Sequence, residues 1–256
     1  MSRPIAFITG ASRGIGAGIA VEMSKAGYDV AINYVNSKEG AIKVKEQVEA
    51  NGAKAVIIQG DISSLADIDR MFEEFFAVFD HVDVMVNNAG ITRFAPFLES
   101  TPEIFEELTN TDWRGSYFCA QKAARNMVEK GIKGTIINIT SNHQVGCWPI
   151  ASVYGPTKAA LNKFTQNAAL ELAPYGIRMV SLAPGYTHVR ETKPEWEERL
   201  KEFYKRLPLG RFCEPWEVGK ACVFLAGEGA GYITGTCLTM DGGALLPVVP
   251  ENTYLG

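Results

Sequence analysis

Seven short apolar runs, PIAFITG, YDVAINY, KAVIIQGD, VDVMVNNAG, GTIINITS, RMVSLAPG and CLTMDGG, each close in Gly, Asp, Asn or Pro, and they alternate with segments of helical periodicity at roughly 14–26, 38–51, 64–79, 102–130, 154–173 and 215–227. Few architectures accept that alternation. The runs are continuous in Val and Ile, as strands buried on both faces require, and a strand–helix–strand succession lays its helices over a parallel sheet. The expected fold is α/β and Rossmann-like: a doubly wound, mainly parallel seven-stranded sheet with helices on both faces. No linker, charge block, low-complexity tract or repeat interrupts the pattern, so residues 1–256 read as one domain, with a long excursion at about 186–214 before the last run. An excursion there suits a lid or binding loop.

Composition narrows the partners. A net charge of -4 offers no broad attraction to nucleic acid or to anionic membranes. No run approaches the ~18 apolar residues of a spanning helix, and the start MSRPIAFITG lacks a leader pattern, so a cytoplasmic protein acting on a small molecule is expected. The five cysteines and three histidines are scattered, which suggests neither a disulfide framework nor a metal site.

The first strand runs into ASRGIGAGIA, which spaces Gly10, Gly14 and Gly16 as GxxxGxG around Ser12, Arg13 and Ile15. Glycines between a strand and a helix let the backbone turn sharply and approach a pyrophosphate, held at the positive end of that helix. A plain turn with small packing residues is the alternative. An acid usually closes the second strand of such a site to hold a ribose hydroxyl. Here the tip reads INYVNS, with Asn33, Tyr34 and Ser37 and no acid, while Arg13 offers a fork suited to phosphate. NADP is favoured and NAD stays possible; the bland reading of Arg13 is a solvated surface charge.

After the fifth run comes SNHQVGCWPIASVYGPTK. Tyr154 and Lys158 are four apart, so they share a helix face, and Pro156 fits only a first turn, so the pair stands at a helix start. A phenol titrates too high for efficient proton exchange at neutral pH, and a neighbouring ammonium favours its charged form. Tyr154 then suits a general acid or base, and Ser141 is placed to hydrogen-bond a substrate oxygen.

With TGASRGIG at 9–16, GDI at 60–62, NNAG at 87–90, Ser141, YGPTK at 154–158, APG at 183–185 and DGG at 241–243 in this order, the chain resembles the short-chain dehydrogenase/reductase family. The resemblance implies a nicotinamide cofactor, a homotetramer, and Ser141, Tyr154 and Lys158 as the catalytic set. It also implies Asp61 and Ile62 near the adenine, Asn88, Ala89 and Gly90 along the cofactor, Lys158 on its ribose, and Pro184, Gly185 and Thr187 beyond the sixth strand. Two places depart from the family pattern. Asp112 stands where the family usually carries the Asn of a proton relay, and Thr187 comes two residues early for PGxxxT. The loop SNHQVGCWPIASVY is similar to that of bacterial glucose 1-dehydrogenases, which implies hydroxyl partners in His143 and Gln144 and an apolar wall in Trp148. Alternatively these residues pack the loop or face solvent, and the substrate is less polar. The competing readings are a 3-oxoacyl-(acyl-carrier-protein) reductase and a non-catalytic cofactor-binding regulator.

Overall fold

The computed structural model describes residues 3–189 and 196–246. Strands β1 (Ile5–Ile8), β2 (Asp29–Tyr34), β3 (Ala55–Gln59), β4 (Val84–Asn87), β5 (Thr135–Ile139), β6 (Arg178–Pro184) and β7 (Cys237–Met240) form one sheet in the order β3-β2-β1-β4-β5-β6-β7. Every neighbouring pair is parallel. The expected Rossmann-like architecture is therefore present, and the order reverses between β1 and β4, where such sheets open a crevice at their carboxyl ends.

Side chains along a strand point alternately to the two faces, and each face carries its own core. Ala6 and Ile8 of β1 join Ile32, Val86 and Val180 under α1 (Gly14–Lys25), α2 (Lys38–Ala50) and α8 (Pro215–Ala226). Phe7 joins Met85, Ile136 and Met179 under α3 (Leu65–Val78), α5 (Ser116–Lys130) and α6 (Tyr154–Leu172). On that second face the rings of Phe7 and Phe75 stack at 4.8 Å.

The periodic stretch 102–130 is not one straight helix. It divides into α4 (Pro102–Leu108), a π-helical turn (Thr109–Gly115) and α5. The extra residue of a π turn swings side chains off the regular stripe, and Asp112 is thereby fully buried. Gly115 ends the turn against the Ile62 carbonyl, where a side chain would not fit. Within the excursion after β6 the described residues include α7 (Glu197–Tyr204), and a bridge between Thr187 and Cys213 draws its two ends together.

Two residues expected at the cofactor serve the fold instead. Asn33 is completely buried: its Oδ1 accepts from Gly10 N (3.0 Å) and its Nδ2 donates to Gly60 O (2.9 Å) and Ile58 O (3.3 Å). It fastens the glycine loop to β2 and β3, with no bond left for a ligand. Tyr34 is 5% exposed and lies in the α1-side core. We expect Asn33→Ala to cost about 2–3 kcal/mol in urea unfolding, because Gly10 N–H and Gly60 C=O lose their buried partner. A loss below roughly 0.5 kcal/mol would mean that water replaces the amide.

Candidate active site

Where β1 and β4 part, Thr9 and Asn88 tie the two strand ends together. The backbone N–H groups of Asn88 and Ala89 both donate to Thr9 Oγ1 at 3.0 Å, and Asn88 Nδ2 donates to Thr9 O (2.9 Å) and Gly10 O (3.1 Å). The close approach requires glycine: Gly10 has φ 62°, and a Cβ there would lie 2.9 Å from Ala89 Cα. Gly16 is equally hemmed in, by Asn88 Nδ2 and Gly10 O.

Helix α1 then opens with no acid in its first turn and no side-chain cap from Arg13. Its first N–H groups keep their capacity for an anion, and the loop fits a dinucleotide pyrophosphate. Gly40 of α2 abuts Ser12 O and Ser37 Oγ, so the glycine loop and the start of α2 form one rim. That rim carries Arg13, which is exposed and makes no ion pair among the described residues, and Lys38, an exposed cation at the first position of α2. Ile15 packs on the core. Asp61 caps its own turn, accepting from Ser63 N at 2.8 Å, while the Ile62 side chain is buried in the opposite core. Ile62 therefore offers a ligand backbone at most.

Tyr154 begins α6, and Lys158 follows one turn later with its Nζ 5.6 Å from the Tyr154 ring centre. Lys158 is 4% exposed. Asp112 Oδ2 lies 3.3 Å from Nζ, near enough for an ion pair but off the line of a good hydrogen bond, while Asp112 Oδ1 accepts from Ile91 N at 2.8 Å. Gly90 leaves room for the pair, since a Cβ there would stand 3.1 Å from Nζ. Burial works to lower the Lys158 pKa, but the charges of Asp112 and Tyr154 outweigh it, so the pKa lies above its ordinary value. Ser141, 7% exposed at the end of β5, accepts from His143 N at 3.3 Å.

The substrate loop presents an aromatic ladder. The His143 ring stacks on Trp148 at 3.9 Å and on Phe94 at 5.9 Å, and meets Tyr154 edge-on at 5.1 Å. Stacking leaves the imidazole edge as its polar surface, and neither ring nitrogen is hydrogen-bonded among the described residues. Burial pushes the His143 pKa down, which favours the neutral ring with one donor and one acceptor. Trp148 Nε1 donates to Tyr186 OH (3.1 Å), and Tyr186 packs on Phe203 and Phe212 of the excursion. Ile150 holds φ 61°, with its carbonyl accepting from Ala95 N at 3.0 Å.

Gln144 departs from its expected role. Its Nε2 donates to Cys237 Sγ of β7 at 3.0 Å and its Oε1 is buried without a partner, so the amide is turned away from Tyr154. Beyond β6, Pro184 pairs with Met240, Gly185 abuts Asp241, and Thr187 Oγ1 donates to Gly185 O at 3.1 Å. Val189, at the place of the family's Thr, lies against Gly14. Nothing in the sequence marks Phe94 or Val189, which sit in aperiodic loops, whereas an aromatic directly after PG could have drawn attention to Tyr186.

A family model described as enoyl-(acyl carrier protein) reductase matches residues 10–244. The chain is 37% identical over 242 residues to L-rhamnose 1-dehydrogenase (NAD(P)(+)) of Azotobacter vinelandii, covering 93% of this chain and 94% of the relative. It is 35% identical over 238 residues to 3-oxoacyl-[acyl-carrier-protein] reductase of Staphylococcus aureus, covering 93% and 96%. Among solved structures, acetoin dehydrogenase from Salmonella typhimurium superposes with a TM-score of 0.90 at 31% identity, covering 97% of this chain and 98% of that one.

The half-buried stack gives His143 a measurable signature. Its imidazole resonance in NMR should titrate below the ordinary value of about 6.5. Because the unfolded chain binds that proton first as pH falls, His143 should cost stability below about pH 6.5, and His143→Phe should reduce that acid-side loss. A midpoint at or above the ordinary value would show the ring to be solvated.

Proposed function

The chain belongs to the short-chain dehydrogenase/reductase family, and from that premise we propose that this NAD(P)-dependent oxidoreductase interconverts a sugar or other polyol and its carbonyl form with NADP. The observation that carries the substrate class is the edge of His143 beside Tyr154, a donor and an acceptor with no protein partner among the described residues. A neutral imidazole held by stacking suits a second hydroxyl next to the reacting carbon, because a site that hydrogen-bonds hydroxyls rejects analogues that lack them. The relative named for L-rhamnose oxidation points the same way.

The acyl-carrier reading has the name of the Staphylococcus relative in its favour. An acidic carrier would want a basic surface, yet on α7 Lys201 pairs with Glu198 and Lys205 with Glu202, both at 2.6 Å. Arg190 and Lys193 lie outside the described residues. Against a non-catalytic regulator stand Ser141, Tyr154 and Lys158 together.

In the mechanism we infer, Gly10, Gly14, Gly16 and the start of α1 would hold the pyrophosphate of the cofactor, and Ser12, Ser37, Arg13 and Lys38 would line the rim beside it. When bound, the nicotinamide gives or takes the hydride. Ser141 Oγ holds the substrate oxygen, Tyr154 passes a proton to or from that oxygen, and Lys158 favours the phenolate by its charge. Trp148 and Phe94 keep the His143 edge aimed. One domain carries cofactor and catalytic residues alike. We also read a cytoplasmic homotetramer: Leu170, Phe224 and Tyr232 are large, exposed and apolar, as a self-associating surface requires. Among the described residues no helix is long and apolar enough to cross a membrane.

A panel of sugars, polyols and 3-oxoacyl thioesters with both cofactors tests the substrate class. Oxidation of a cyclic sugar or polyol is expected, and His143→Leu should raise its KM about tenfold or more while sparing a simple ketone. Reduction of the thioesters with no oxidation across the sugars would transfer the protein to the reductase reading. For the cofactor, Arg13→Ala should raise KM for NADP about 10- to 100-fold and leave that for NAD nearly unchanged, as loss of a charged hydrogen bond predicts. Equal effects on both cofactors would remove Arg13 as the discriminator.

A further inference from the structure

A buried ammonium is costly unless it is paired, and without a partner it sheds its proton. Lys158 is 4% exposed, and no side chain or backbone oxygen among the described residues takes a hydrogen bond from its Nζ. Its neighbours are the Tyr154 ring and Asp112 Oδ2 at 3.3 Å. Asp112 is itself completely buried, and its other oxygen is fixed by Ile91 N. Among the described residues each is thus the other's close opposite charge.

The titratable groups facing this pair are few. Helix α6 supplies Tyr154, and the loop after β5 supplies His143, edge-on to Tyr154. The π turn supplies Asp112 itself, while its Arg114 points away, donating to Ser63 O at 2.6 Å. The loop after β4 brings Gly90, the Ile91 amide and the Phe94 ring to the site, while its Arg93 pairs with Glu107.

We propose that Asp112 is the counter-ion that keeps the buried Lys158 charged, a positioning role that the family's Asn at this place does not have. A carboxamide can orient water or a backbone amide, but it brings no charge to offset the desolvation of an ammonium. With the carboxylate in place Lys158 stays protonated across the neutral and mildly alkaline range, and its field acts steadily on the Tyr154 phenol. The inference deepens the function proposed above, since Lys158 matters to turnover only if Tyr154 is the proton-transferring group.

The test is urea unfolding of the parent and of Asp112→Asn, without cofactor or substrate, from about pH 6 to 10. The amide is nearly isosteric and still accepts from Ile91 N. In the parent the folded-state pKa of Lys158 lies above its unfolded value, so its contribution is fully present below the unfolded pKa, about 10.4, and flat over this range. In the variant the folded pKa falls below the unfolded one, so the deficit is greatest at low pH and shrinks as pH rises between the two values. The stability gap should therefore narrow by at least about tenfold in the unfolding constant across the range.

The pH profile of turnover should also gain an alkaline falling limb that the parent lacks, as the variant's Lys158 loses its proton. A gap that stays constant with pH, together with an unchanged profile, would reduce Asp112 to a shape-filling residue and overturn the proposal. Should Asp112→Asn fold poorly, Asp112→Ser deletes the same charge and carries the same comparison. The two readings fail separately: a narrowing gap in a parent inactive on every substrate of the panel sinks the proposed function and leaves the counter-ion standing.

Discussion

Everything at the catalytic end of this molecule depends on how β1 and β4 are joined where the sheet order reverses. One hydroxyl, Thr9 Oγ1, accepts two successive amides from the β4 end, and one carboxamide, Asn88 Nδ2, returns two bonds to the β1 end. The two strands stay paired to their ends, but the connections that follow them run to opposite faces of the sheet, and the clasp fixes the edges of the crevice between those connections. Because it is closed, Gly10 and Ala89 sit in contact, the glycine loop is fixed, and Gly90 is carried over the Lys158–Asp112 pair. The proposed cofactor cradle and the proposed proton-handling group thus share one origin.

The sequence made legible whatever rests on local rules. The seven strands, their direction and their order of appearance follow from apolar runs and punctuation, and the Tyr154/Lys158 pair follows from helical spacing. What escaped rests on contacts between residues distant in sequence. Asn33 looks like an open strand tip, yet Gly10 and Gly60 claim its amide. Gln144 neighbours His143 in sequence but faces β7, because a single helical turn after Ser141 sends consecutive side chains in different directions. The π turn was invisible for a related reason: the stretch 102–130 keeps its apolar period on either side, and the inserted residue is betrayed only by the fit of Gly115 against Ile62. The reach of Phe94 to His143 crosses two loops that share no pattern at all.

Specificity here is divided between two kinds of contact with different tolerances. The proposed cofactor rim offers backbone amides and flexible cations, which would accept small shifts in a ligand. The proposed substrate wall is a half-buried stack of rings, where each ring's position is set by its contact with the next. Trp148 belongs to both the ladder and the excursion, through Tyr186, so the shape of the substrate wall is tied to the packing of Phe203 and Phe212 some distance from the reacting atoms. Changes in that outlying aromatic cluster would be felt at the site although none of its members is near Tyr154 by sequence.

Ile150 adds a mechanical element to the same loop. A β-branched residue in left-handed backbone is strained by roughly 1–3 kcal/mol, and it persists only where the surroundings insist on it. Among the described residues its carbonyl accepts from the amide of Ala95, whose neighbour in the chain is Phe94. The strained residue and the first ring of the ladder are thus joined through one backbone bond, so a change at Ile150 reaches Phe94, and with it the face of His143, along the chain rather than through solvent.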